Sequence, residues 1–235
     1  MLEQLKEDVC RANQEIERSE LVVLTWGNVS GFDPKQKLMV IKPSGMDCKQ
    51  MEPEFMIVVD LRGSVVEGDF RPSSDTPTHI ELYKAWDDVM SIVHTHSDYA
   101  TMFAQAQRSI PCLGTTHADF FKGSVAVTRS LSREEVKEGY EKNTGKVIAE
   151  TFQKRDHLSV PAVLVSGHGP FTWGKTTDEA VKASIALEKI AKMAYGTLVL
   201  SPEAPNLPDH VFKKHFMRKH GPKAYYGQGG EGKND

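Results

Sequence analysis

SIVHTHSDYA, from Ser91 to Ala100, sets two histidines one residue apart directly behind an apolar run. The β-branched Ile92 and Val93 precede the pair and Thr95 separates it, so the stretch reads as a buried strand ending in polar residues. On a strand, residues i and i+2 face the same side, about 7 Å apart at their Cα atoms. His94 and His96 then project together and can close on one cation. On a helix the two would diverge by roughly 200°. The other reading of the pair is two partly buried histidines bonded to backbone groups.

The chain has 235 residues, of which 39% are hydrophobic, enough for one large domain with a substantial core. With 26% charged residues and a net charge of −3, it lacks the basic excess of a nucleic-acid binder. Lys213, Lys214, Arg218, Lys219 and Lys223 form a local basic stretch, which reads either as a solvated helix face or as a phosphate-handling surface. No run reaches the roughly 18 apolar residues of a membrane span. The opening MLEQLKEDVCRANQEIE is amphipathic and acidic, unlike a signal peptide. Cys10, Cys48 and Cys112 are odd in number and widely spaced, with no CxxC. They argue against a disulfide framework or zinc knuckle and point to a reducing cytoplasm.

Working outward, Leu2, Leu5 and Val9 repeat at helical spacing and predict a helix to about Glu17. LVVLTWGNVS reads as a strand from Leu21 broken by Gly27, and KLMVIKPSG as a second strand running into a turn. FMIVVDLRGSVVEG reads as two strands joined through Arg62–Gly63. In PSSDTPTHIELYKAW, Thr76 is placed to cap a helix whose first position is Pro77. Tyr99 to Gln107 is predicted helical, and SVAVT (124–128) a short strand. Ser132 with Glu135, and Thr176 with Glu179, have the spacing of capping boxes. The first opens a helix expected to bend near Gly145; the second opens a long helix to about Leu198. AVLVSGHGPFTWG reads as strand, turn and return strand. A last helix starts at Asp209 and stops at Gly221–Pro222. Strands in neighbouring runs among irregularly spaced helices predict an α/β fold: a single-domain three-layer sandwich with a central, mainly antiparallel sheet flanked by helices. The domain is expected to span 1–228, with a mobile C-terminal tail over 229–235.

Two features enlarge the His94/His96 reading. Asp75 lies at the mouth of the helix preceding that strand, and a helix followed by a strand packs back, returning Asp75 toward one strand end. His168 stands between two glycines after the apolar Val163–Val165, so its ring has little side-chain packing and is free to be aimed. Three histidine nitrogens and one carboxylate suit Zn²⁺, with Mn²⁺ or Ni²⁺ as alternatives. His79 and His117 are lesser candidates. Polar turns supply an anion site: Asn28 in TWGNVS; Lys42, Ser44 and Gly45 in KPSG; Ser73 and Ser74 in PSSDTP. Backbone N–H groups in such turns bind phosphate.

Together TWGNVS, IKPSG, PSSDTPTH, IVHTHS, GTTHADFF, HGPFTWGK and KHFMRKHGPKAYYGQ resemble the L-ribulose-5-phosphate 4-epimerase branch of the class II aldolase and adducin-head superfamily, over 1–228. The resemblance extends to the arabinose-pathway and L-ascorbate-pathway types alike. It implies a cyclic homotetramer with active sites between adjacent subunits. It also implies that Asp75, His94, His96 and His168 ligate a divalent metal, most simply Zn²⁺. Asn28, Ser44, Gly45, Ser73 and Ser74, with Gly27 and Lys42 alongside, fall on its substrate and phosphate positions. Asp119 and Tyr226 fall on its acid/base pair, the tyrosine reaching into a neighbour's site. Thr116, Glu141, His215 and Arg218 fall on secondary positions.

The implied reaction inverts C4 of a ketopentose phosphate. With the ketone at C2, the C4 proton is not acidic, so inversion needs retro-aldol cleavage of C3–C4, rotation of the aldehyde and re-addition. A metal suits the enediolate fragment, and two proton donors suit the two faces of the aldehyde. Two alternatives follow from the same superfamily. One is a class II aldolase acting on a related ketose phosphate such as L-fuculose 1-phosphate, in which a Glu commonly stands where Asp75 stands. The other is a non-catalytic adducin-head-like interaction module, which has no need of metal ligands.

Overall fold

The computed structural model describes residues 2–222 and 224–225. Seven strands make one sheet: β1 (Gly27–Asp33), β2 (Leu38–Ile41), β3 (Ile57–Asp60), β4 (Val65–Glu67), β5 (Ser91–Thr95), β6 (Ala162–Leu164) and β7 (Pro170–Gly174). Their order is β4-β3-β2-β1-β5-β7-β6, and every neighbouring pair is antiparallel. Around it lie α1 (Glu3–Arg18), α2 (Thr76–Ala85), α3 (Asp98–Gln105), α4 (Thr115–Ala118), α5 (Arg133–Thr151), α6 (Thr177–Leu200) and α7 (Asp209–His220).

The period of two along each strand divides the core. Met39, Ile41, Ile57, Val59, Ile92, Phe171 and Trp173 point to one face, where Leu82 and Tyr83 of α2 and the adjoining Trp86 meet Ile148 of α5 and the adjoining Phe152. Val40 and Val58 point the other way onto Val9 and Cys10 of α1. Val29 and Val93 pack there with Ile16 and Val181, and Ala162 and Leu164 with α3 and α6. The result is helix, sheet, helix, as the sequence pattern predicts. Strand β5 is buried along its whole length because β1 and β7 cover its edges and helices cover both faces.

Several boundaries differ from expectation. Strand β1 starts at Gly27 rather than running from Leu21. Leu21 and Val22 are core residues, but Leu24 turns with φ 58°, leaving Trp26 exposed. Gly27 itself adopts φ 135°, and a Cβ there would sit 2.9 Å from the His94 carbonyl oxygen, so close β1–β5 pairing requires glycine. SVAVT is not a regular strand; Val125 and Val127 make single bridges to Ile110 and Leu164. Helix α2 begins one residue before the predicted Pro77 and is capped at Asp75, whose side chain makes no capping bond.

Helix α5 breaks at Gly139 (φ 154°, ψ 92°), not at Gly145. Gly145 is helical and serves contact instead. A Cβ there would lie 2.7 Å from Glu81 Cβ and 2.8 Å from Thr78 O, so its absence lets α5 cross α2 closely. Gly145→Ala should therefore destabilise the protein by about 1–3 kcal/mol through overpacking, read from urea unfolding. Unchanged stability would mean that the two helices slide apart freely. The Ser132/Glu135 capping box forms in full. In α6 only half of the second one does: Thr176 accepts from Glu179 N, while the Glu179 carboxylate takes Lys175 N.

Candidate metal and anion site

One cavity of ≈ 390 Å³ opens at the end of the central strands and collects most of the predicted residues. Gly27 and Asn28 come from β1, Lys42, Ser44 and Gly45 from beyond β2, and Ser73, Ser74 and Asp75 from the entry to α2. His94 comes from β5 and His96 from just past its end, His168 from the β6–β7 turn and Glu141 from α5. Thr25, Trp26 and Tyr140 also line it and escaped the sequence reading.

The three histidines each offer a nitrogen within 4.8 Å of the others. Strand β5 ends at Thr95, one residue short of His96, yet the rings stay together, with His94 and His96 centroids 4.9 Å apart and His94 and His168 4.7 Å apart. His94 Nδ1 lies 3.0 Å from the Pro170 carbonyl oxygen. A carbonyl only accepts, so Nδ1 carries the proton and Nε2 presents its lone pair. His94 Nε2 and His96 Nε2 are 3.1 Å apart. Two ring nitrogens so close need a positive centre between them, a proton or a metal ion. Burial and the neighbouring His94 hold His96 below the usual imidazole range; burial, His94 and His96 bring His168 down to about 4. Both rings are therefore neutral near pH 7, the form that ligates metal.

Asp75 lies outside the mutual 4.8 Å set but on the same cavity wall. Its Oδ2 accepts from Asn28 Nδ2 at 2.7 Å. Burial pushes its carboxyl up, but His94, His79, the Asn28 bond and His168 outweigh that and keep it below the usual carboxylate range. The donor set is thus three imidazoles beside an anionic carboxylate, a combination that fits a divalent ion such as zinc. The buried Asn28 Oδ1 has no protein partner, as expected of an acceptor kept for a ligand.

The anion turns are zipped to each other. Ser44 N donates to Arg71 O at 2.8 Å and Ser73 N to Lys42 O at 3.0 Å. Those two amides, expected to cradle phosphate, are committed to structure. The hydroxyls of Ser44, Ser73 and Ser74 and the Lys42 amine remain as donors. Lys42 is 1% exposed, and its Nζ reaches Gly27 O at 3.3 Å. Burial pushes that amine below the usual lysine range.

Asp119, Thr116, His215 and Arg218 do not join this cavity in the chain. Asp119 follows α4 and is held by α7: Arg218 Nε and Nη2 donate at 3.0 and 2.7 Å, and His215 Nδ1 at 3.2 Å. His220 Nε2 donates to the Asp119 carbonyl oxygen at 2.8 Å. Burial raises the Asp119 carboxyl, but the Arg218 and His215 bonds prevail and keep it ionised. Thr116 lines a separate ≈ 850 Å³ cavity with Phe120, Phe121 and Lys219. Tyr226 lies outside the described residues, as does the 229–235 tail.

The lesser histidine candidates stand apart from the cluster. His79 is fully buried, with Nδ1 2.7 Å from Ser30 Oγ. His117 donates through Nε2 to Gly123 O at 2.7 Å, while its buried Nδ1 is unpartnered. Burial pulls His117 from 6.5 to about 4. Between these values the unfolded chain binds the extra proton, so this contribution to stability is complete above about pH 6.5 and lost as pH falls through about 4. His117→Gln should reduce the drop in stability between pH 7 and 4 by on the order of 3 kcal/mol, from ~1.4 kcal/mol per pH unit. Urea midpoints across that range test this; parallel curves for both proteins would refute it.

A model of the class II aldolase and adducin N-terminal domain matches residues 7–195. Among solved structures, an L-fuculose 1-phosphate aldolase superposes with TM-score 0.76 at 27% identity, covering 92% of this chain and 95% of that one. YgbL from Klebsiella pneumoniae, described only as aldolase, epimerase or decarboxylase, gives TM-score 0.73 at 23% identity, covering 91% and 99%. L-Fuculose-1-phosphate aldolase from Thermus thermophilus gives 0.66 at 22% identity, covering 87% and 99%. The chain belongs to the class II aldolase and adducin N-terminal domain family.

Proposed function

We propose that this member of the class II aldolase and adducin N-terminal domain family is a metal-dependent 4-epimerase interconverting L-ribulose 5-phosphate and D-xylulose 5-phosphate. One observation carries the reading: His94, His96 and His168 converge in the same cavity as Asp75, Asn28 and the Lys42 and serine donors. Candidate metal donors and anion donors thus share one cavity.

In this reading Asp75, His94, His96 and His168 hold a divalent ion, Zn²⁺ first and Mn²⁺ second. Such an ion supplies Lewis-acid stabilisation of the negative charge that develops on the ketose oxygens. Lys42, with the hydroxyls of Ser44, Ser73 and Ser74, grips the phosphate. Gly27 and Gly45 leave room for the ligand, and Asn28 Oδ1 accepts from a sugar hydroxyl. The C3–C4 bond breaks as a base takes the C4 hydroxyl proton. The phosphate-anchored aldehyde turns over, the same bond re-forms on its other face, and an acid returns a proton to the oxygen. Asp119, held ionised by Arg218 and His215, suits the base in one direction, and the Tyr226 phenol suits the acid; the reverse direction exchanges their roles. Asp119 does not line the cavity of its own chain. The reading therefore requires a second subunit at each site, as in a cyclic homotetramer. Thr116 and Glu141 act as secondary contacts. Three free, buried cysteines fit a reducing cytoplasm. Among the described residues no helix is long and apolar enough to cross a membrane.

A second reading, a class II aldolase, draws on the 27% identity to an L-fuculose 1-phosphate aldolase. Incubation of zinc-loaded protein with L-ribulose 5-phosphate separates the two. The epimerase reading expects D-xylulose 5-phosphate with no net release of glycolaldehyde phosphate, stopped by a chelator and restored by zinc. Net aldehyde release without epimer supports the aldolase. No turnover, with no metal bound, supports a non-catalytic interaction module.

A further inference from the structure

His168 is supported differently from His94. The His94 ring is fixed by a backbone carbonyl at one end and stacks on Phe171, with centroids 4.2 Å apart and planes at 16°. His168 stands in a tight turn between Gly167 (φ 69°) and Gly169, neither of which offers a side chain to brace it. Its Nδ1 meets the Tyr140 hydroxyl at 3.3 Å, and the rings lie 6.0 Å apart at 40°.

The backbone at Tyr140, directly after the break in α5, is held by several bonds. Asn143 Nδ2 spans the break to Glu135 O at 2.7 Å, and Thr144 Oγ1 binds the Tyr140 carbonyl at 2.8 Å. Thr78 Oγ1, from the helix that Asp75 opens, binds Glu141 O at 2.7 Å. Arg129 joins the two halves of α5 through Glu135 (2.8 Å) and Glu150 (2.9 Å). A straight helix would carry residue 140 along a different line. Gly139, in a backbone conformation that side-chain-bearing residues rarely adopt, redirects the chain at the residue before the tyrosine.

We propose that Tyr140 is a positioning residue for His168, fixing its tautomer and ring orientation so that Nε2 offers its lone pair to the ion shared with His94 and His96. A phenol oxygen can accept from Nδ1–H, which leaves Nε2 unprotonated. Outer partners of this kind commonly tune metal affinity ten- to a hundredfold. The proposal rests on the metal-site reading of the three histidines and adds a residue to it.

The test is zinc affinity by competition with a chromogenic chelator, for wild type, Tyr140→Phe and Tyr140→Leu, with ring ¹⁵N spectra of the histidines. The expected result is about tenfold weaker zinc binding in Tyr140→Phe. His168 should show mixed tautomers in the metal-free variant but one tautomer in wild type. Thermal stability of the metal-free protein should be nearly unchanged, which separates positioning from folding. Tyr140→Leu should weaken zinc at least as much. Equal zinc affinity and an unchanged His168 tautomer in Tyr140→Phe would overturn the role of Tyr140 and leave the metal site standing. A wild type that binds no zinc would overturn the metal site, and this inference with it.

Discussion

His94→Gln is expected to abolish stoichiometric metal binding and to lower turnover by about a thousandfold. His94 has its Nδ1 committed to a backbone carbonyl, which leaves Nε2 facing the cluster, and the three rings lie within 5 Å of one another. Glutamine keeps bulk and polarity beside Phe171 but offers an amide in place of an imidazole lone pair. Lewis-acid stabilisation is worth several kcal/mol, and each ~1.4 kcal/mol is a factor of ten in rate, so about three decades are at stake. Elemental analysis of the purified variant, paired with its rate on L-ribulose 5-phosphate, checks both parts. Circular dichroism controls for folding, since His94 is 2% exposed and packs in the core. Full metal content with full turnover would remove the three-histidine cluster from the mechanism.

Lys42→Met is expected to move function and stability in opposite directions. The Lys42 amine is taken out of water and has a backbone carbonyl at 3.3 Å as its partner. Burial lowers its affinity for a proton, so folding with the amine charged costs stability that a methionine of similar shape does not incur. In the proposed function, that charge serves an anion. A hydrogen bond to a charged group contributes about 1.5–3 kcal/mol, so the variant should raise KM for a sugar phosphate by roughly ten- to a hundredfold or more. Its urea midpoint should equal or exceed that of the wild type. A KM unchanged in the variant would mean that phosphate binds elsewhere; a large loss of stability would mean that the amine is structural.

Much of this architecture was legible because its signals are local. The Ser132/Glu135 box, the start of α7 at Asp209 and its stop at Gly221 each depend on groups within one helical turn. The alternation of Met39, Val40 and Ile41 splits them between the two faces of the sheet, as pleating demands. Where local signals compete, reading failed. Gly139 and Gly145 are both glycines within α5, and sequence spacing does not say which one bends the chain. Contact does: Gly145 is pressed against Thr78 and Glu81, while a Cβ on Gly139 would meet Lys142 Cβ at an ordinary 3.8 Å. SVAVT has strand composition, but its neighbours accept only single bridges.

For the site, sequence alone set out the candidate donors. A His-x-His at a strand end, a carboxylate at a helix mouth and a histidine between glycines name three imidazoles and one carboxyl group. Tertiary structure decided which groups remain free to use that chemistry. Ser44 and Ser73 each stand in one of the two turns, yet their amides are consumed by Arg71 and Lys42, because two turns distant in sequence bond to each other. Asp119 belongs with α7 rather than with the histidines of its own chain, because a bidentate arginine holds it there. Tyr140 meets His168 across 28 residues, from the position directly after the break in α5. Periodicity and capping act over a few residues and can be read along the chain. The hydrogen-bond partners of a buried polar group are set by which elements pack together, and sequence spacing does not encode that.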